Sequence, residues 1–105
     1  RLAALAPALR LAGDLYAAAM SDGTVSDLEE YRESWALVQV AGAEADSLAG
    51  SQDTAVAGAA KQVAALLDDV APAYGDLDGQ GIATADASLL YATAARVELA
   101  ALKLQ

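Results

Sequence analysis

Apolar residues recur along the chain at alternating steps of three and four, the spacing that places them on one face of an α-helix. The pattern is clearest near the start, where Leu11 and Leu15 widen a stripe made of Leu2, Leu5, Leu9, Ala12, Tyr16 and Ala19. No segment shows the two-residue alternation of apolar and polar positions that is typical of a strand. The chain is therefore predicted to be all-helical.

The limits of the first helix are set by a proline and by a polar turn. Inside a helix a proline loses a hydrogen bond at a cost of about 3 kcal/mol, so we expect the helix to begin near Ala6, with Pro7 in its first turn. It ends at the Ser-Asp-Gly run of residues 21–23. Arg10 and Asp14 lie off the stripe, four residues apart, and are expected to form a weak pair.

A second helix is predicted from Ser26 to about Ala49. Ser26 and Glu29 have the spacing of a capping box, in which the hydroxyl accepts from a backbone amide three residues on and the carboxylate accepts from the cap amide. One apolar face follows, made of Leu28, Tyr31, Trp35 and Val38. Gly50 then ends the helix, as glycine commonly does.

Two further helices are predicted in the second half of the chain. The third begins near Ser51 or Asp53 and ends before Pro72, because the residue before a proline avoids helical geometry. Its stripe is Val56, Ala59, Val63, Leu66 and Val70. The fourth begins with Thr84 as its cap, and its stripe is Leu90, Ala94, Val97, Ala101 and Leu104.

These four segments predict one domain over residues 1–105. Its fold class is all-α, an alanine-rich, antiparallel, up-down-up-down four-helix bundle. Gly13, Gly42 and Gly58 lie inside the predicted helices, where each costs up to about 1 kcal/mol relative to alanine. We interpret them as points where neighbouring helices pack closely.

Composition narrows the classes of partner. The chain is 56% hydrophobic but only 5% aromatic, and its formal net charge is −9. This charge repels phosphate groups, so we expect a soluble protein with no nucleic-acid partner. No uninterrupted apolar run reaches the roughly 18 residues of a membrane span, and no membrane insertion is expected. The first residue is Arg1, which favours a processed or excerpted chain and slightly favours export.

The residue types needed for most catalysis are missing. The chain has no histidine and no cysteine, which removes the commonest general base, the commonest metal ligand and all thiol chemistry. Carboxylate pairs such as Glu29 and Glu33 fall on the polar face and are interpreted as solvated. No phosphate-binding loop or nucleophile motif is present. We therefore predict no enzymatic activity and no cofactor.

Two loops resemble opposite halves of an EF-hand calcium loop. Residues 22–29 resemble the back half, but the two earlier ligand positions are Ala18 and Met20. Residues 76–81 resemble the front half of an EF-hand or dockerin loop, but the twelfth position, where calcium usually takes a bidentate carboxylate, is Ala87. The same residues also suit ordinary turns and helix caps. The cation ligands that the resemblance implies are Asp76, Asp78, Gln80 and Asp86.

By elimination, the sequence predicts a small non-catalytic protein that acts by contact with another protein or a larger assembly, as an accessory subunit, adaptor or scaffold module. Trp35 and Tyr74 are candidate contact residues, Tyr74 lying in the long connection over residues 72–83. Leu99 and Leu102 are apolar positions left over from the helix stripes, as is Leu37. The alternative is a cation-binding module with degenerate EF-hand-like loops. Partner identity and oligomeric state stay open.

Overall fold

Four α-helices account for most of the chain in a computed structural model, which describes residues 2–104. Within that range, short 3₁₀ segments and a two-stranded hairpin complete the fold. The helices are α1 (Leu5–Ala19), α2 (Leu28–Leu48), α3 (Thr54–Leu67) and α4 (Ser88–Leu102); the strands are β1 (Met20–Ser21) and β2 (Thr24–Val25). The 3₁₀ segments are Leu2–Ala4 and Asp68–Ala73. The prediction of four packed helices is confirmed, and the prediction of an entirely helical chain is wrong.

The predicted stripe of α1 is the centre of the core. All six of its residues are buried, and Pro7 lies in the first turn of the helix, where its missing amide has no intrahelical partner to lose. The prediction that Leu11 widens the buried stripe is wrong, because its side chain is 51% exposed. Leu15 is half-buried. The apolar pattern of α1 is therefore wider than the face that the other helices cover.

The polar side of α1 pairs with α4 rather than with itself. Arg10 forms an ion pair with Glu98, and Asp14 accepts a hydrogen bond from the hydroxyl of Tyr91. The predicted pair between Arg10 and Asp14 is therefore wrong. The partner residue in α4 moves from 98 to 91 as the residue in α1 moves from 10 to 14. Helix α4 therefore runs antiparallel to α1.

A β-hairpin connects α1 to α2 where the sequence predicted only a helix end. Met20 pairs with Val25, and Ser21 pairs with Thr24. The two turn residues between the strands both have positive φ, 52° for Asp22 and 80° for Gly23. This is the geometry of a type I′ turn, for which Asp-Gly is a preferred pair. Strands of two residues are too short to show alternation, so the hydrophobic pattern could not reveal them.

The N-terminus of α2 is capped by Asp27 and not by Ser26. The Asp27 carboxylate accepts from the Glu30 amide at 3.1 Å. The Ser26 hydroxyl instead donates to the carbonyl of Ala19 at 3.0 Å, which ties the hairpin to the end of α1. The predicted capping box is therefore wrong by one residue, since the hairpin register turns Ser26 back towards α1.

The third helix starts as predicted but changes geometry before the proline. Asp53 caps α3 by accepting from two backbone amides. After Leu67 the chain continues as the 3₁₀ segment, which contains Pro72. The prediction that Thr84 caps the fourth helix is wrong: α4 begins at Ser88, after a longer irregular connection.

Each helix packs on two others. Helix α1 contacts α2 and α4, and α3 contacts the same two helices. Hydrogen bonds show the direction of the first pair: Ser34 of α2 reaches the Ala12 carbonyl, whereas Ser26 reaches that of Ala19. Helix α2 therefore runs antiparallel to α1. Alanine and valine fill most of the shared core, and two fully buried tyrosines supply its largest side chains.

One of the three predicted close-packing glycines has that role. A Cβ atom at Gly13 would lie 2.8 Å from Cε1 of Tyr91, so only glycine admits this ring at its present distance. Nothing lies within 4 Å of a Cβ at Gly42 or Gly58, and the prediction is wrong for both.

The N-terminal segment has a second property that the sequence pattern understated. By length and composition alone, Leu2–Ala19 is long and apolar enough to cross a membrane, with a mean hydropathy of 1.2. A core helix and an N-terminal signal sequence pass the same test. In the structure, 44% of this segment is buried against the rest of the chain. The absence of membrane insertion stays a prediction.

Candidate functional site

Four aromatic side chains meet at one end of the helices. Tyr16 comes from α1, and Tyr31 and Trp35 come from successive turns of α2; Tyr74 directly follows the 3₁₀ segment. Tyr74 is central, because its ring centroid lies 5.4 Å from that of Tyr16, 5.8 Å from that of Tyr31 and 6.2 Å from that of Trp35. The Trp35 and Tyr74 rings are stacked at an interplanar angle of 21°.

The phenol groups of the two buried tyrosines hold the connection that follows the 3₁₀ segment. Tyr16 donates to the carbonyl of Ala73 at 2.6 Å. Tyr31 donates to the carbonyl of Asp76 at 2.9 Å and accepts from the Gly75 amide at 3.0 Å. Side chains from α1 and α2 thus satisfy backbone groups of a segment that has no helix or sheet partner there.

A buried serine fixes the position of Tyr74. The Ser34 hydroxyl donates to the Ala12 carbonyl at 2.7 Å, and its oxygen lies 2.7 Å from the Tyr74 hydroxyl. A serine hydroxyl has one proton to donate. With that proton on Ala12, the Tyr74 hydroxyl is the donor in the second bond.

Burial raises the pKa of two of these phenols. Desolvation raises the pKa of Tyr16 to about 12, with a smaller contribution from the neighbouring Tyr31. Desolvation also raises the pKa of Tyr74 to about 12. Both groups act as hydrogen-bond donors at neutral pH, and neither is ready to accept a proton as a base.

A cleft of about 370 Å³ opens beside the stacked pair; we call it the aromatic cleft. It lies between α2 and the 3₁₀ segment. Its lining residues are Trp35, Val38, Gln39, Gly42, Leu67, Asp68, Val70, Ala71, Tyr74 and Gly75. A neighbouring depression is lined by Arg32, Trp35, Ala36, Gln39 and Leu77. Trp35 therefore lines two depressions.

The two predicted contact residues at this end come together, and the other two lie elsewhere. Leu99 and Leu102 are 60% and 51% exposed on α4. Leu102 lines a separate depression between α1 and α4, and neither leucine lines the aromatic cleft. The four residues predicted from the sequence thus form no single surface. A contact role for Leu99 and Leu102 stays a prediction.

The carboxylates of Asp76 and Asp78, two of the predicted cation ligands, have partners within the protein. One carboxylate oxygen of Asp76 accepts from the amides of Asp78 and Gln80, both at 2.9 Å. The carboxylate of Asp78 pairs with Arg32 at 3.1 Å.

Asp86 has a similar local role at the start of α4. Its carboxylate accepts from the Ser88 amide at 2.9 Å, and this bond lowers the pKa of Asp86. Among residues 2–104, no three acidic side chains are grouped in a way that could hold a metal ion. Cation binding by this loop stays a prediction.

A second surface feature lies between α1 and α2; we call it the α1/α2 groove. It measures about 350 Å³ and is lined by Leu11, Leu15, Glu33, Ala36, Leu37 and Val40. Val40 is 67% exposed. Apart from one carboxylate, every side chain in the lining is apolar.

Sequence reasoning missed Ser34 and the groove, although both have a signal in the sequence. Ser34 falls on the buried stripe of α2, whose members are Tyr31, Ser34, Val38, Ala41, Ala45 and Leu48. A serine at such a position needs hydrogen-bond partners inside the protein. Leu11 and Val40 are apolar residues outside the buried stripes of their helices, which is the pattern of an uncovered face.

Comparison of the chain with protein-family models, curated proteins and solved structures finds no match. Function is therefore inferred from the aromatic cleft, the α1/α2 groove and the charge of the chain.

Proposed function

We propose that this chain acts without catalysis, by binding another protein through the surface formed by Trp35 and Tyr74. The observation that carries the proposal is the stacked, partly exposed aromatic pair at the edge of an open cleft. Tryptophan and tyrosine are the residues most enriched among those that dominate binding energy at interfaces. They supply a large contact area at a small cost in conformational entropy, because few torsions must be fixed.

The fixed position of Tyr74 also supports a binding role. Its hydroxyl is held by Ser34, and its ring packs on two further tyrosines. A side chain that is already ordered loses little entropy when a partner covers it, so more of the contact energy is retained as affinity.

The chemistry of the titratable groups supports a non-catalytic role. The shifts in Tyr16, Tyr74 and Tyr91 raise their pKa values above 10, and the shift in Asp86 lowers its pKa. Catalytic acids and bases are instead shifted towards the working pH. The net charge of −9 disfavours nucleic acid and favours a protein partner with a basic surface.

We also infer that the helices form an antiparallel up-down-up-down bundle. Support comes from the antiparallel order of α1 with α2 and with α4, and from the short connection between α2 and α3. Because the chain has no cysteine, pairs of introduced cysteines carrying spin labels can measure the direction of α3 against α2. Two label pairs are compared, Gln39→Cys/Gln62→Cys and Asp46→Cys/Gln62→Cys. The first distance is expected to be the shorter one if α3 runs antiparallel to α2, and the longer one if it runs parallel.

The functional proposal is tested by comparing the proteins that wild type and two variants capture from an extract of the source organism. Wild-type protein, Trp35→Ala and Leu99→Ala are immobilised at equal density, after circular dichroism has shown that all three are folded. Leu99 is the matched comparator because it is an exposed apolar residue on another helix. A specific partner is expected to be retained by wild type and Leu99→Ala and to be reduced at least about tenfold by Trp35→Ala.

Binding of the purified partner is then followed by intrinsic fluorescence. Trp35 is the only tryptophan in the chain, so a partner without tryptophan that covers the cleft is expected to shift its emission to shorter wavelength. A partner that binds wild type and Trp35→Ala equally, with no change in emission, would contradict the proposed surface.

A further inference from the structure

The α1/α2 groove is an uncovered apolar surface distinct from the aromatic cleft. Leu11 and Leu15 of α1 are one helical turn apart and form one wall. Ala36, Leu37 and Val40 of α2 form the other wall. The lining residues lie on neighbouring turns of two packed helices, and the side-chain rows of such a pair can accept the ridge of a third helix.

The charges beside the groove are of one sign. Glu33 lines it, and Glu29 lies one turn earlier on the same face of α2. Within residues 2–104, neither carboxylate has a hydrogen-bond or ion-pair partner. The arginines of the two helices are engaged elsewhere, Arg10 with Glu98 and Arg32 with Asp78.

We propose that the α1/α2 groove binds an amphipathic helix of a partner protein that carries lysine or arginine beside its apolar stripe. The apolar stripe would cover Leu11, Leu37 and Val40, and a basic side chain would reach Glu33. This inference goes beyond the proposed function, because the groove is a second surface, separate from the aromatic cleft. A second copy of the chain is disfavoured as the occupant, because symmetric pairing would bring acidic faces together.

Charge complementarity has two measurable consequences. A positive helix is steered towards the acidic face, so its association slows and its affinity falls as salt screens the charges. The apolar contacts respond little to salt at the same concentrations. An electrostatic contribution from Glu33 can therefore be separated from the contribution of the groove itself.

The test uses two synthetic helical peptides with the same leucine stripe at helical spacing. One has lysine beside the stripe and the other has glutamate at the same positions. Affinity is measured by fluorescence anisotropy of the labelled peptide. The proteins are wild type, Leu11→Ser, Val40→Ser, the double variant of these two, Glu33→Gln, Trp35→Ala and the comparator Leu99→Ser, each checked for fold by circular dichroism. Leu99 matches Val40 in exposure, 60% against 67%.

The lysine peptide is expected to bind wild type and Leu99→Ser with affinities within about twofold of each other. Leu11→Ser and Val40→Ser are each expected to weaken binding, and together by at least about tenfold. Glu33→Gln is expected to reduce the loss of affinity between low salt and about 0.5 M salt. The glutamate peptide is expected not to bind measurably.

Other outcomes overturn the inference. Equal binding by all variants, or a selective loss in Leu99→Ser, would place the peptide elsewhere. Equal binding of the glutamate peptide would show that the groove does not select a basic partner. Self-association of wild type that is abolished by Val40→Ser would show that the occupant is a second copy of the chain. Trp35→Ala separates this inference from the proposed function. If the peptide binds Trp35→Ala normally and no partner is captured through the aromatic cleft, only the proposed function is refuted.

Discussion

Removing the Ser34 hydroxyl is expected to destabilise the protein and to loosen Tyr74. Ser34 is fully buried and joins the Ala12 carbonyl to the Tyr74 hydroxyl, each at 2.7 Å. In Ser34→Ala the Ala12 carbonyl keeps its intrahelical amide partner, whereas the half-buried Tyr74 hydroxyl loses its acceptor. A lost hydrogen bond of this kind costs about 1–2 kcal/mol.

One smaller, opposing effect refines this magnitude. Alanine is the better helix former by roughly 0.5 kcal/mol, so the net loss in the free energy of unfolding is about 1 kcal/mol. For a domain of this size, that lowers the Tm by about 4–8 °C. Ser47→Ala is the matched control, because Ser47 lies exposed on the same helix and gains helix propensity without losing a buried bond.

A double-mutant cycle isolates the hydrogen bond itself. Tyr74→Phe removes the same bond but leaves the bond of Ser34 to Ala12, and is expected to cost about 0.5–1.5 kcal/mol. The double variant should then cost less than the sum of the single variants, with a coupling of about 1 kcal/mol. Urea unfolding followed by circular dichroism measures all four proteins. Strictly additive effects, or a Ser34→Ala variant as stable as wild type, would refute the reasoning.

Three further predictions follow from individual features. Gly58→Ala should raise the free energy of unfolding by about 0.5–1 kcal/mol, because the new methyl group meets no neighbour; Gly13→Ala should be less stabilising or destabilising in the same urea assay, because the methyl group meets the ring of Tyr91. Stability should fall between pH 10 and about 12, because the pKa values of Tyr16 and Tyr74 are raised from 10.0 to about 12 in the folded state, which therefore binds more protons than the unfolded chain in that interval. A Tm that rises over this interval would contradict it. Millimolar calcium should leave the Tm unchanged in chelator-treated protein, because the loop carboxylates already hold backbone amides and an arginine. A clear upward shift would instead support cation binding by this loop.

Helices could be predicted from the sequence because each buries a periodic stripe, and burial of that stripe is what stabilises a helix in a protein. All six stripe residues predicted for α1 are buried. Four of the five predicted for α4 are buried, but Leu104 is exposed, and the buried Thr93 and Ala100 lie outside the predicted stripe. Helix starts were less accurate, because Ser26 and Thr84 have the chemistry of caps but tertiary contacts decide which residue caps. The hairpin was missed because two-residue strands have no periodicity, although the Asp-Gly pair was present.

The site was predicted only in part, and for a physical reason. Trp35 and Tyr74 were selected as large amphipathic side chains, and the structure stacks them. Their meeting depends on the path of residues 68–76, which is fixed by bonds to Tyr16 and Tyr31 from distant parts of the chain. No local pattern contains that information. Exposure of Val40 likewise depends on which helix faces find partners.

The central claim, that a partner protein covers the surface around Trp35, is tested most directly by site-specific photocrosslinking. A photoreactive amino acid replaces Gln39, which is exposed and lines the aromatic cleft, or Gln62, an exposed glutamine on α3 that does not line it. In an extract of the source organism, the account predicts one discrete adduct from position 39, absent from position 62 and abolished by Trp35→Ala. Equal labelling at both positions, or an adduct from position 62 alone, would contradict it.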